Sequence, residues 1–263
     1  MQQRRAGAFR RFGGSASVAL FVILVSFAAA RAADPSALWH IVHERCVPDE
    51  ENSHDPAPCA LVDLSAGEAR GYVVLKDIVG ATQFLVLPTA RVGGIESPEI
   101  LAADAPNYMQ DAWAARRFVA ARAKRPLSRE DVSLAVNSVY GRSQNQLHIH
   151  VDCIDLNVRA ALARHLDAVG EAWKPFPETL AGHAYIARRL LASDLAGANP
   201  FLLLAEAAPD ARQHMGDYTL FLAGASFAGK PGFILLADRA DPLRGDFGSS
   251  EALQDHACAL AAR

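Results

Sequence analysis

The sequence predicts an α+β fold, an antiparallel sheet with helices packed on one face, and three observations carry that prediction. Short apolar, β-branched runs come in pairs, 71–77 with 83–88 and 132–137 with 147–154. Between the pairs lies a stretch with Met109, Trp113, Phe118 and Val119 at helical spacing, which gives the order strand, strand, helix, strand, strand. Strand-like and helical runs then recur with fewer polar residues, as a C-terminal α/β extension. That extension is either a degenerate second half or a covering subdomain.

Composition narrows the class. The 263 residues are 51% hydrophobic and 21% charged, with a net charge of −3. Such a chain is not disordered, collagen-like or a strongly basic nucleic-acid binder. The charge is unevenly placed: Arg4, Arg5, Arg10, Arg11 and Arg31 precede the first acid, Asp34, and without them 21 basic residues face 29 acidic ones, a charge of −8. An apolar run at 15–30 separates the arginines, and Ala30-Arg31-Ala32 fits a small-x-small cleavage site. Residues 1–33 therefore read as a signal peptide or an N-terminal membrane anchor. Both place the rest of the chain outside the cytoplasm, because the arginines stay behind. The remainder divides into a catalytic core at 34–165 and an extension at 166–263.

The elements follow in order. Residues 36–44 read as a short helix, with Leu38, Trp39 and Val42 on one face. Four cysteines, Cys46, Cys59, Cys153 and Cys258, suit two disulfides in an oxidising compartment, for which three pairings exist. Cys46 and Cys59 bracket a stretch that reads as a turn-rich loop, which a local bridge would staple; Cys153 with Cys258 then follows by elimination. Runs 71–77 and 83–88 read as an antiparallel pair joined by a short loop. Ser97-Pro98-Glu99 has a cap residue, a first-turn proline and an acid, and starts a helical region that continues through 108–122 and stops at Pro126. Strands at 132–137 and 147–154 follow, then a helix at 157–169. The extension reads as a helix at 183–195, strands at 218–223 and 233–237, and a final helix from Ser249.

Chemistry concentrates in 137–154. On a strand, His148, His150 and Asp152 share one face while Ile149, Val151 and Cys153 share the other. Two histidines in register are costly to bury without partners, so that face should border a cleft. Upstream, Asn137, Gly141, Ser143, Gln144 and Asn145 supply amide, hydroxyl and backbone donors of the kind that hold a phosphate without a metal.

This stretch resembles the histidine triad (HIT-like) superfamily of nucleotide hydrolases and transferases: Asn137, then a glycine-containing turn with Gln144, then His148-x-His150, with Asp152 where a third histidine would stand. Lys76-Asp77-Ile78 resembles that superfamily's acid-bearing strand end, which implies that Asp77 takes the ribose. With GlyTyrValValLeuLysAsp, PheLeuValLeuProThr, GlyHisAlaTyrIleAlaArgArg and AsnProPheLeuLeuLeuAla, nearly the whole chain resembles the bacterial CDP-diacylglycerol pyrophosphatase family. The resemblance implies hydrolysis of CDP-diacylglycerol to CMP and phosphatidate, in phospholipid metabolism, at the inner membrane or on its periplasmic side. Membrane-borne CDP-diacylglycerol is then the expected partner, with no nucleic acid, protein partner or cofactor. By match to the motif, His150 is the nucleophile, forming a cytidylyl-histidine; His148 orients it or the turn, and Asn137, Gln144 and Asn145 bind the substrate.

Two other readings keep part of this chemistry. A CMP transferase would use an acceptor other than water, and a metal-dependent hydrolase would take His148, His150 and Asp152 as ligands. Arg188 and Arg189 read as a phosphate contact or a solvated helix face. His40, His43, His54, His165, His214 and His256 read as surface or structural.

Overall fold

In a computed structural model that describes residues 34–262, nine strands form one antiparallel sheet. The signal peptide or anchor expected at 1–33 lies outside the described residues. No helix among the described residues is long and apolar enough to cross a membrane. The strands are β1 (Cys59–Asp63), β2 (Tyr72–Lys76), β3 (Phe84–Pro88), β4 (Val132–Val136), β5 (Ile149–Cys153), β6 (Lys174–Pro175), β7 (Ile186–Leu191), β8 (Tyr218–Phe227) and β9 (Lys230–Arg239). Their order is β1-β2-β3-β5-β4-β8-β9-β7-β6. From the outside inward, β2-β3-β5-β4 and β6-β7-β9-β8 have the same connectivity, and the halves meet where Ala135 pairs with Phe221. This topology fits the degenerate second half, and the later strands extend the sheet edge to edge.

Side-chain alternation sends apolar residues to both faces. Val74, Val86, Ile149, Val151, Leu134, Leu222 and Leu235 face a core under α3 (Tyr108–Ala123), which Asn107 caps by accepting from Gln110 N. On the opposite face two smaller cores lie apart. Val73, Leu75, Leu85 and Leu87 pack under the N-terminal helices α1 (Ala37–Ile41) and α2 (Val47–Ser53), joined by a π-helical turn at Val42–Cys46. Ala135, Phe221, Ile234 and Leu236 pack under α4 (Leu156–Arg164). His150 on β5, and His148 just before it, fall between these two cores. The expectation of helices on one face is thereby corrected: apart from the polar face of β5, the central strands carry apolar residues on both sides, so each side needs a cover.

Other expectations change for local reasons. Residues 47–53 are helical, with Pro48 in the first turn and Asn52 and Ser53 bonded back to the Pro48 and Asp49 carbonyls. Pro48 has no N–H to give the preceding turn, and the π-helical residues end two positions before it, at Cys46. The segment read as a helix at 183–195 is instead β7, hydrogen-bonded along β9 from Ile186↔Ala237 to Leu191↔Gly232. Ala187 and Leu190, three apart, face opposite cores, so burial on both faces imitates helical spacing. α5 (Pro200–Ala205) follows at the motif AsnPro. The helix expected from Ser249 is reduced to 3-10 turns at Ser250–Leu253 and Ala259–Ala262, because the groups after Leu253 bond to β5. Gln254 Nε2 donates to the His150 carbonyl and Asp255 N to the Cys153 carbonyl. Strand β1 follows a proline-rich turn that obscures it in the sequence.

Candidate active site

His148, His150 and Asp152 leave the same face of β5, and His150 is flanked by Leu85 on β3 and Ala135 on β4. A cavity of about 530 Å³ opens over the two histidines, between α1 on one side and the 137–144 turn on the other. A slightly larger groove, about 620 Å³, lies beside α4, but it is mainly apolar and holds neither histidine.

The His148 and His150 rings meet edge to face, centroids 5.0 Å apart. His148 donates through Nδ1 to the Gln146 carbonyl at 2.6 Å. His150 Nδ1 lies 2.6 Å from the Gln83 amide, 3.4 Å from Glu251 Oε1 and 4.0 Å from Asp77 Oδ2. Its Nε2 is buried and has no hydrogen-bond partner among the described residues. Two carboxylates facing Nδ1 place the ring proton there and leave the lone pair on Nε2. Burial, and then the neighbouring His148, push the His150 pKa down to about 3, so the ring is neutral at neutral pH. Burial also lowers the His148 pKa.

Glu251 is the central residue that the sequence reading lacked. Its carboxylate accepts from Gln83 Nε2 at 3.1 Å and Asn137 Nδ2 at 3.1 Å, and lies 3.5 Å from His256 Nε2. Burial pushes its pKa up, but His150, the two amides and His256 outweigh burial and hold it below the usual value. His256 is also more than a surface or structural group. Its Nδ1 is 3.2 Å from Asp152 Oδ2, so one imidazole joins the two carboxylates. Asp152 is fully buried, accepting from Thr82 Oγ1 at 2.6 Å and its neighbour Cys153 N at 2.9 Å; burial raises its pKa against those donors.

Both disulfides form, Cys46–Cys59 and Cys153–Cys258. The second ties the tail that carries Glu251 and His256 to the end of β5. That pairing was the available signal for the missed residues, since it already brings the C-terminal segment beside the histidine strand.

The remaining candidates divide. Asn137 lines the pocket and accepts from Glu251 N at 3.2 Å, and Asp77 lines it from the β2–β3 loop, its Oδ1 held by Val79 N. Gln144 also lines it, but its amide donates to the Asp34 carbonyl and accepts from Leu38 N, fastening the N-terminal strand of chain. Asn145 is exposed, and its backbone N–H donates to the Pro35 carbonyl. Arg188 and Arg189 stand on β7 away from the pocket; Arg189 pairs with Glu171. Two cations to which the sequence reading gave no role line the pocket: Lys76, whose Nζ donates to the Asp77 and Gly80 carbonyls, and Arg142, paired with Glu96.

Asp77, His150 and Glu251 bring one ligand atom each within 4.8 Å of one another, a donor set that suits a divalent cation. It differs from the trio expected from the sequence, because His148 and Asp152 spend their polar atoms on Gln146, Thr82 and His256.

Comparison with known proteins gives one consistent result. The family model for CDP-diacylglycerol pyrophosphatase matches residues 33–262. A curated CDP-diacylglycerol pyrophosphatase from Yersinia pestis is 43% identical over 228 residues, covering 87% of this chain and 86% of that protein.

Proposed function

The chain belongs to the CDP-diacylglycerol pyrophosphatase family, and we propose that it hydrolyses the pyrophosphate bond of CDP-diacylglycerol to CMP and phosphatidate through a covalent cytidylyl-histidine. The observation that carries the mechanism is the unpartnered Nε2 of a neutral, pocket-lining His150 whose Nδ1 faces carboxylates. In the first step Nε2 attacks the cytidine-bearing phosphorus; the N–P bond forms, the bridging P–O bond breaks, and phosphatidate leaves with the electron pair. In the second step water attacks the same phosphorus, the N–P bond breaks back to the Nε2 lone pair, and CMP leaves while a proton passes to solvent.

Phosphatidate is a good leaving group, so positioning and charge stabilisation matter more than acid catalysis. The positive charge that forms on the phosphorylated ring is met at Nδ1 by Glu251 and Asp77. His148 packs edge to face against the nucleophile and keeps its plane. Asn137, Lys76 and Arg142, which all line the pocket, supply the phosphate environment. We assign Gln144 and Asn145 a supporting role there, through the turn they hold. This fold arrangement is also the reason to keep the histidine triad kinship as part of the proposal. The exported or membrane-held placement read from residues 1–33 suits a lipid substrate and two disulfides.

The test incubates the protein with cytidine-labelled CDP-diacylglycerol, quenches with denaturant, and maps label by mass spectrometry. Label on His150, free CMP in the supernatant and loss of both in His150→Ala are expected. Label persisting at wild-type level in that variant overturns the assignment of the nucleophile. Label that moves to an added alcohol in preference to water favours the transferase. Activity abolished by a chelator and restored by zinc favours a metal at Asp77, His150 and Glu251.

A further inference from the structure

Six large apolar side chains are exposed among the described residues: Ile78, Val79, Val139, Tyr140, Leu243 and Phe247, with Ile78 and Leu243 almost wholly so. Single exposed apolar residues are ordinary, but these occupy only three loops, and those loops border one feature. Ile78 and Val79 line the pocket from the β2–β3 loop. Val139 and Tyr140 belong to the turn after Asn137 on its other side. Phe247 is fastened to that turn: its carbonyl accepts from Ser138 Oγ at 2.6 Å, and the Gly248 carbonyl accepts from Ser138 N at 2.9 Å. A Cβ on Gly141 would come within 2.8 Å of the Phe247 carbonyl, so the two loops approach backbone to backbone.

The first described residues meet the same rim. Asp34 and Pro35 are held by Gln144 Nε2 at 2.9 Å and Asn145 N at 2.6 Å, on the turn that walls the pocket. In the sequence the apolar run at 15–30 ends four residues before Asp34. Inside the mouth, Leu38, Ile41, Pro58 and Leu85 give one wall of the pocket an apolar surface that faces the histidines' polar side. The chain beyond its leader carries −8, so attraction to an anionic surface does not explain the rim. Insertion of apolar side chains does, with the Tyr140 phenol suited to the headgroup level.

We propose that these three loops dock on a lipid bilayer, so that the pocket mouth opens onto the membrane and a diacylglycerol passes from the lipid phase along the apolar wall. The proposal rests on the lipid-substrate reading above for what passes, and on the exposed rim for where it passes.

Hydrogen exchange of the full chain, with and without phosphatidylcholine vesicles, reads the surface directly. Slower exchange is expected at 77–80, 138–141 and 242–248 and no change along α3 on the other face of the sheet. A second measurement uses Leu243→Asp combined with Phe247→Asp, both outside the reacting groups. Its turnover of CDP-diacylglycerol in vesicles is expected to fall at least about tenfold, with turnover of monomeric short-chain CDP-diacylglycerol unchanged. Unchanged exchange at the rim, protection that depends on protein concentration instead of vesicles (a second copy as occupant), or equal losses on both substrates overturns the proposal. Absence of wild-type turnover on either substrate overturns the functional reading instead, while the exchange pattern still decides the surface.

Discussion

Glu251 Oε1 lies 3.4 Å from His150 Nδ1, on the side of the ring opposite the unpartnered Nε2. The relationship gives the nucleophile both its tautomer and a counter-charge for the phosphorylated state. Neither the motif around His150 nor the spacing within it contains this residue.

Glu251→Gln keeps the shape and the bond from Asn137 but removes the charge. The expected result is a fall in kcat of about 10²-fold with a much smaller change in KM. The negative charge of Glu251 favours the protonated form of His150, so its removal lowers the His150 pKa further. The acid limb of the kcat/KM profile then moves to lower pH. A pH–rate profile that keeps its acid limb in place would show that Glu251 acts only on structure.

His256→Ala leaves the buried Asp152 without the neighbour that lowers its pKa. The folded Asp152 pKa, already raised by burial, rises again, and stability is lost as pH climbs through it. Calorimetry should find a larger drop in Tm at pH 8 than at pH 5, and Asp152→Asn in the same chain should recover most of it. Activity is expected to fall about tenfold, since Glu251 keeps its two amide donors.

The two disulfides should separate in their effects. Cys153–Cys258 closes a separation of 105 residues and Cys46–Cys59 one of 13. The chain-entropy model gives about 4.7 and about 3 kcal/mol for loops of those sizes. Replacing both Cys153 and Cys258 by Ser should therefore lower Tm more than replacing Cys46 and Cys59. It should also lower kcat at temperatures where the protein stays folded, because the tail carrying Glu251 and His256 is freed.

Outside the site, burial and the charge of Asp246 push the Asp238 pKa up to about 7, where His183 also faces the pair. The folded chain holds this proton below pH 7 and the unfolded chain releases it near pH 4, so wild-type stability falls as pH rises between those values. Asp238→Asn should raise Tm by several degrees at pH 8, by about a third as much at pH 5 and hardly at all near pH 4, measured by thermal unfolding in matched buffers.

Alternation and pairing made most of the sheet legible. The β2–β3 and β4–β5 hairpins, the helix between them and the common face of His148, His150 and Asp152 follow from two-residue and helical periods, which are local properties of the chain. β7 was misread because a strand covered on both faces has no polar side to reveal its period. The motif identifies Gln144 by residue type, whereas its partners within the fold, Asp34 and Leu38, are fixed by where the N-terminal segment crosses the turn.

The sequence by itself determined the family, the histidine strand and the supply of four cysteines for two disulfides, because each is written in residues close together or in a count. Only the tertiary structure decided that the tail bends back over β5, that Glu251 and His256 complete the surroundings of His150, and that the exposed apolar loops gather at one mouth. Those are contacts between segments whose separation in sequence carries no periodic signal. They exist because two cores on one face of the sheet leave a gap, and the disulfide-held tail is the segment that runs beside it.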